Sequence, residues 1–459
     1  MNMPRNSPLS LWSALTAHRS ASRLIVGHEA SASWGELAAG SVVDKRGMDF
    51  RGCTVVLAAR NPFAAAALMI QLDGIARRMV LCPPDLSREH LGFVARAAAA
   101  ALIVTDESPE SVVAGCAVMM CGSKLAPIEV DRSEQVETEW ILLTSGTTGA
   151  PKLVQHSLAT LTGAIEAGDG RKNVWSTFYD IRRYGGLQIF LRAVLTGASL
   201  MLRGAGQELA DFLALAGKRG VNQINGTPSH WRKVLMSGAA DDFAPEYVRL
   251  SGEIADQGVL NQLRAQYGKA TISHAFASTE AGVVFEVADG MMGFGAATVE
   301  DTRDVEMKVE GGTLRVRSGR TAFRYLGEGS PALKDAEGFV DTGDSLEWRD
   351  GRYYFVGRRD GVINVGGNKV HPEEVEAVIN RHPAVSMSLV KAKRNPITGA
   401  LVVAQVVLKD DAAEGLNAEQ GRAILEFCRG KLAAHKVPVQ INVVSSLAVD
   451  ETGKLARRA

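Results

Sequence analysis

Short apolar runs separated by amphipathic stretches constrain residues 7 to 278 more than any other feature. CTVVLAA (53–59), AALIVTD (100–106), EWILLTS (139–145), ASLML (198–202), VNQING (221–226) and TISHAFA (271–277) have the length and composition of strands. Between them AAAALMIQLDGIA, SLATLTGAIEAG, ELADFLALAGKRG and DQGVLNQLRAQYG carry helical spacing. A parallel pair needs a crossover of helix length, so this alternation predicts an α/β fold of parallel-rich sheets covered by helices. Around Asp304 the texture changes. EMKVEGGTLRVRSG and LEWRDGRYYFVGRRDGVINV have Gly-centred turns between alternating runs, which predicts a small antiparallel β subdomain. From about Gly361 onward HPEEVEAVINRH, VSMSLVKAKR, LVVAQVVLK and AEQGRAILEFCRGKLA predict a small α+β C-terminal domain.

A chain of 459 residues exceeds one compact core of ordinary size, so at least two domains are expected. Lys plus Arg balance Asp plus Glu at 51 each, which leaves no global field for nucleic acid or an anionic membrane. The cysteines (Cys53, Cys82, Cys116, Cys121, Cys428) are odd in number and form no CxxC pair, which argues against a disulfide framework or a zinc site. A reducing cytoplasm is the expected location. LSLWSAL is too short for a signal segment, and no apolar run reaches the ~18 residues of a membrane span.

LLTSGTTGAPKLVQHS (142–157) is poor material for a helix or a strand. Gly146 and Gly149 allow a sharp turn that exposes backbone N–H groups, and Thr144, Ser145, Thr147 and Thr148 add hydroxyl donors. A strand precedes this loop and a helix follows, the place where ligands collect in open α/β sheets. Phosphate is the natural guest. The loop is not a Walker A sequence, because Gly149 is followed by Ala150, Pro151 and Lys152.

This loop resembles the phosphate-binding motif of the acyl-adenylate-forming (AMP-binding) superfamily, which includes acyl- and aryl-CoA synthetases, luciferases and peptide-synthetase adenylation domains. Four further stretches resemble the family's motifs in the same order: HAFASTEAG (274–282), VDTGDSLEW (340–348), GRRDGVINVGGNKVHPEEVE (357–376) and ETGKLARR (451–458). The matches span Thr144 to Arg458. N-terminal to them the likeness is only one of texture.

The resemblance implies an acid–thiol ligase that uses ATP, Mg2+ and CoA. Residues 1–359 would form the adenylation domain and residues 360–459 a mobile domain, with Asp360 at the hinge. Ser145 to Gly149, Thr144 and Lys152 would meet phosphates. Thr279 and Glu280 would be catalytic, with Glu280 holding magnesium. Phe276 would stack on adenine, beside Ala277 where the family usually has Gly, and Gly252, Glu253 and Ile254 would line the same pocket. Asp344, with Arg358 nearby, would accept both ribose hydroxyls, although T-G-D taken alone is a turn signature. Lys454 would bridge the substrate carboxylate and the α-phosphate, acting on the transition state more than on ground-state binding. Gly366 and Gly367 read either as a hairpin turn or as the face along which a pantetheine arm approaches.

The acid itself is not legible. Candidate pocket residues are Asp180 and Arg183 in FYDIRRYGGLQ (178–188), Asn225 and Trp231 in NGTPSHW (225–231), and Gly282. Asp180 could meet a substrate ammonium, and Arg182 or Arg183 a second carboxylate; exposed charges on a loop are the commoner explanation of such residues. No carrier-domain serine motif follows Lys454, so the acceptor is CoA or, as the alternative, a separate phosphopantetheinyl carrier protein. A third reading, an inactive sensor, is opposed by the joint presence of Glu280, Asp344 and Lys454.

Overall fold

The computed structural model describes residues 10–17, 23–28, 30–43, 49–108, 115–128, 131–144, 149–166, 168–301, 303–396, 398–409, 417–449 and 454–456. The apolar runs assemble into two eight-stranded sheets. One runs, in spatial order, Gly282–Val287, Thr271–Ser278, Tyr247–Ser251, Gln223–Gly226, Val174–Thr177, Ser199–Met201, Leu24–Val26 and Ser31–Ser33. Its interior pairs are parallel and an antiparallel strand closes each edge. The other runs Arg324–Leu326, Lys152–His156, Glu139–Thr144, Arg78–Leu81, Thr54–Leu57, Leu102–Thr105, Ala117–Pro127 and Gly40–Val43, and is parallel from Glu139–Thr144 to Ala117–Pro127. Thr54–Leu57 and Leu102–Thr105 are buried along their whole length, which is why they read as continuous apolar runs.

The helix Pro62–Leu72 starts on Asn61, whose side chain accepts from the Phe63 and Ala64 amides, and it is buried from Phe63 to Leu72. Both sheets press on it. One apolar cluster joins Ile25 and Leu200 of the first sheet, Val55 and Leu57 of the second, this helix, and Leu187 and Phe190 of the helix Tyr184–Thr196. That second helix begins inside the stretch FYDIRRYGGLQ, where paired glycines disguise it. A Cβ on Gly186 would stand 2.2 Å from the Asp180 carbonyl oxygen, so the helix start can pack on the preceding loop only without a side chain there. SLATLTGAIEAG, by contrast, is helical only over Leu158–Thr162 and breaks at Gly163.

The antiparallel unit is a five-stranded sheet of Phe294–Gly295, Val305–Glu310, Thr313–Ser318, Val340–Arg349 and Arg352–Arg358. It packs through Val305, Leu314 and Val316 on Ala281 and Val284, at the edge of the first sheet. After Arg358 a short 3-10 turn, Arg359–Gly361, leads to a separate apolar core that includes Val375, Ile379, Val390, Ala404, Ile424 and Cys428. Its sheet contains Ile363–Val365, Asn368–Val370, Val385–Asn395, Gly399–Leu408 and Gln440–Val443, with helices Pro372–Ile379 and Asn417–Arg429. Arg232, on the helix Pro228–Met236, reaches this C-terminal unit: it pairs with Asp256 and donates to the Ser386 carbonyl at 3.1 Å. Among the described residues no helix is long and apolar enough to cross a membrane.

Candidate active site

The two large sheets bring their strand ends together at Glu280. Thr144 ends one strand and stands opposite Lys152 in the next, and the short strand Arg324–Leu326 adds beside Lys152–His156. The Lys152 ammonium lies 5.0 Å from the centre of the Tyr325 ring. Glu280 comes from the other sheet, in the turn between Thr271–Ser278 and Gly282–Val287. Its Oε1 accepts from the Tyr325 hydroxyl at 3.2 Å and from Thr144 Oγ1 at 3.4 Å. Ser145, Gly146, Thr147 and Thr148 lie outside the described residues. Gly149 takes φ +92°, a conformation that favours glycine, and among the described residues nothing lies within 4 Å of where its Cβ would be.

His156 holds the backbone beside Glu280. Its Nε2 lies 2.7 Å from the Thr279 carbonyl oxygen, which only accepts, so this nitrogen carries the proton; Nδ1 faces Thr160 Oγ1 at 2.9 Å. Burial lowers its pKa to about 4, which keeps the ring neutral. Glu280 and the hydroxyls around it are hard oxygen donors. They fit Mg2+ with one protein carboxylate, the remaining ligands coming from phosphates and water.

Across the site Asp344 and Arg358 are register partners in adjacent strands, with Oδ1 and Nη1 3.7 Å apart. Arg358 Nε also lies 3.5 Å from Asp360 Oδ1. Burial pushes the Asp344 carboxyl up to about 6, against the pull of Arg358 and Lys454. For Arg358 burial opposes the charge, but Asp344, Asp360 and Glu280 outweigh it and hold its pKa above the ordinary value. Phe276 stacks on Phe355 with centroids 4.7 Å apart and stays half-buried. A bulge between Phe276 and Ala277 turns Ala277 toward the core between the sheets.

The SGEI stretch meets the C-terminal loop. Gly252 has φ +80°, and a Cβ there would stand 3.1 Å from the Tyr179 hydroxyl and 3.3 Å from Lys454 Cε. The conformation favours glycine, and a side chain there would crowd both neighbours. Glu253 accepts from the Ser229 amide and hydroxyl at 2.9 and 3.0 Å and from the Leu455 amide at 3.0 Å. Ile254, next in the chain, is half-buried.

The acid-side candidates are differently disposed. Both Asp180 oxygens engage the Arg182 guanidinium, at 2.7 and 2.6 Å, and Arg182 also donates to the carbonyls of Ala59 and Arg60. Burial opposes the Asp180 charge, yet Arg182 prevails and its pKa is lowered. Arg183 pairs with Asp85. Trp231 is wholly buried against Phe178 and Tyr267. Asn225 is buried and accepts from Ser251 Oγ at 3.3 Å. Gly282 is closed off, since a Cβ would stand 2.6 Å from the Arg320 carbonyl oxygen. Gly366 and Gly367, at φ +56° and +87°, form an exposed turn between Ile363–Val365 and Asn368–Val370, where Asn364 Oδ1 accepts from the Gly367 amide at 2.9 Å.

Tyr325 and His156 stand beside Glu280, and motif reading misses both. Tyr325 sits in a three-residue strand with no pattern of its own, and His156 follows an apolar run that any core strand would supply.

Residues 51–311 match the family model for AMP-binding enzymes, and residues 374–454 match that for the AMP-binding enzyme C-terminal domain. The chain is 29% identical to the mitochondrial acyl-coenzyme A synthetase ACSM4 of Rattus norvegicus over 69% of its own length, and spans 59% of that protein. It is 24% identical to 2-succinylbenzoate--CoA ligase of Bacillus cereus (strain Q1), over 89% of this chain and 88% of the relative. Its fold is similar to that of the anthranilate CoA ligase AuaEII in complex with anthranoyl-AMP, with TM-score 0.79, 18% identity and coverage of 99% and 97%. The chain belongs to the AMP-binding enzyme family.

Proposed function

We propose that this protein activates a carboxylic acid with ATP as an acyl-adenylate and passes the acyl group to the thiol of CoA. The observation that carries the reading is Lys454: its side chain lies against Gly252 and acts electrostatically on Asp344, so three segments distant in sequence converge on one point. In the first step a carboxylate oxygen attacks the α-phosphorus and the bond to pyrophosphate breaks. Lys454 lies between the two anions and stabilises the charge that builds on the α-phosphate. Asp344 receives the ribose hydroxyls, Phe276 offers a ring to adenine, and Lys152, with the 144–149 loop, receives the outer phosphates. Glu280 would hold Mg2+, which would supply neutralising charge there.

In the second step the CoA sulfur attacks the acyl carbon and AMP leaves. We assign residues 360–459 to a mobile unit that withdraws Lys454 by turning about Asp360. The separate C-terminal core and the exposed 3-10 turn at Arg359–Gly361 support that assignment. Gly366 and Gly367 then offer a backbone face without side chains to the pantetheine arm. The acid is one that Asp180 and Arg183 do not select, since both are already paired.

Two measurements test this. Purified protein is screened for acid-dependent pyrophosphate exchange with benzoate, 2-aminobenzoate, 2-succinylbenzoate, butyrate, octanoate and phenylalanine. The adenylate that forms is then offered CoA or a holo carrier protein. Exchange should fall ~10²–10³-fold in Lys454→Ala while ATP still binds. Exchange at the wild-type rate in that variant would remove Lys454 from the chemistry, and discharge by the carrier alone would make the carrier protein the acceptor.

A further inference from the structure

Glu253 holds two parts of the molecule at once. On one side its carboxylate caps the helix Pro228–Met236. Oε2 accepts from the Ser229 amide at 2.9 Å and Oε1 from the Ser229 hydroxyl at 3.0 Å. Ser229 is in the first turn, where the amide has no intrahelical partner and a negative charge is favoured. Thr227 caps the same helix end through its own exchange with His230, so the carboxylate is docked on an ordered platform.

On the other side Oε1 accepts from the Leu455 amide at 3.0 Å. Leu455 belongs physically to the C-terminal unit. It bridges to Val449, its side chain packs beside Met387, Leu389 and Leu447, and the next amide, Ala456, donates to the Ala448 carbonyl at 3.0 Å. Its amide is the peptide link to Lys454. A bond there fixes the backbone from which Lys454 extends toward Gly252.

We infer that Glu253 is a positioning residue: a carboxylate latch that ties the Lys454 loop to the large domain and so sets how much of the enzyme has the lysine in place. This rests on the proposed adenylation chemistry. A single charge-assisted bond shifts such a balance by about tenfold. The latch must open when the C-terminal unit turns, so its loss penalises the first half-reaction and spares the second.

The test uses full-length protein and two readouts. Hydrogen exchange at the Leu455 amide should be about tenfold faster in Glu253→Ala. Pyrophosphate exchange with the panel acid that supports it should be about tenfold slower, while single-turnover thioester formation from that acid's synthetic adenylate plus CoA, both saturating so that any adenine contact of Glu253 drops out, stays within about twofold of wild type. Ser229→Ala removes one capping contact but leaves the Leu455 bond, and should resemble wild type in both readouts. Glu253→Gln keeps a neutral acceptor, should fall between, and carries the test if the alanine variant does not fold. The latch is overturned if Leu455 exchange does not change, if Ser229→Ala reproduces the full effect, or if both half-reactions fall equally. If no acid supports pyrophosphate exchange, the proposed function fails, and the amide readout still decides the latch.

Discussion

Charges on the proposed nucleotide side of the site and charges around the 178–188 loop are used in opposite ways. Glu280 is held by two hydroxyls, and Asp344 stands 3.7 Å from an arginine that it shares with Asp360. Asp180 and Arg182 instead satisfy one another with two short bonds, and Arg183 is paired with Asp85. A buried charge with a dedicated partner serves the fold. A carboxylate whose partners among the described residues are hydroxyls and distant, shared cations keeps lone pairs for something else. Position explains the difference. Asp180 and Arg182 follow the strand Val174–Thr177 of one sheet, and Arg182 donates to Ala59 and Arg60, which follow Thr54–Leu57 of the other. The pair is a polar staple between the sheets, where an unpaired charge would be costly.

The largest effect that separates the two uses is on stability. Asp180→Asn leaves the Arg182 guanidinium buried without its counter-charge and should lower the free energy of unfolding by about 3 kcal/mol, read by urea denaturation. The folded variant should keep its pyrophosphate exchange. Unchanged stability with a raised KM for the acid would instead put Asp180 in the acid pocket and erase the contrast.

A smaller effect sharpens it from the nucleotide side. Asp344, pushed up to about 6 by burial, takes up a proton as pH falls through that value. A protonated carboxyl is a poorer acceptor for ribose hydroxyls, so KM for ATP should rise below pH 6, by up to about tenfold per unit. For stability the sign is the reverse of a usual aspartate. Its folded pKa is raised, so its contribution is fully present below the ordinary 3.8 and is lost as pH rises through about 6. Asp344→Asn should raise KM at pH 7.5 and flatten the acid limb measured from pH 5 to 7.5. An acid limb that persists in the variant would assign the titration to another group.

Much of this contrast was legible in the chain, and its limits have a physical cause. Glu280, Asp344 and Lys454 sit in short motifs whose chemistry is local, so residue type and order carry them, as the alternation of apolar runs carries the two parallel sheets. Tyr325, His156 and Ser229 act through strand register and helix capping between segments far apart, which no local pattern encodes. Asp180 reads either as an exposed loop charge or as a pocket residue, because residue type alone does not show that Arg182, two residues on, is its partner. What binds the pair is the approach of Ala59 and Arg60 from the other sheet, a tertiary contact. The helix Tyr184–Thr196 was hidden by Gly185 and Gly186, whose small size serves packing on Asp180 and Tyr179.

Attack of a substrate carboxylate on the α-phosphorus beside Lys454 leaves an isotopic trace. An acid from the panel carrying ¹⁸O in both carboxylate oxygens is turned over with ATP and CoA. The nucleotide product is then weighed by mass spectrometry. Attack at the α-phosphorus followed by thiolysis leaves one labelled oxygen on AMP and none on pyrophosphate. Label in inorganic phosphate with ADP as the nucleotide product, or AMP free of label, would contradict the account.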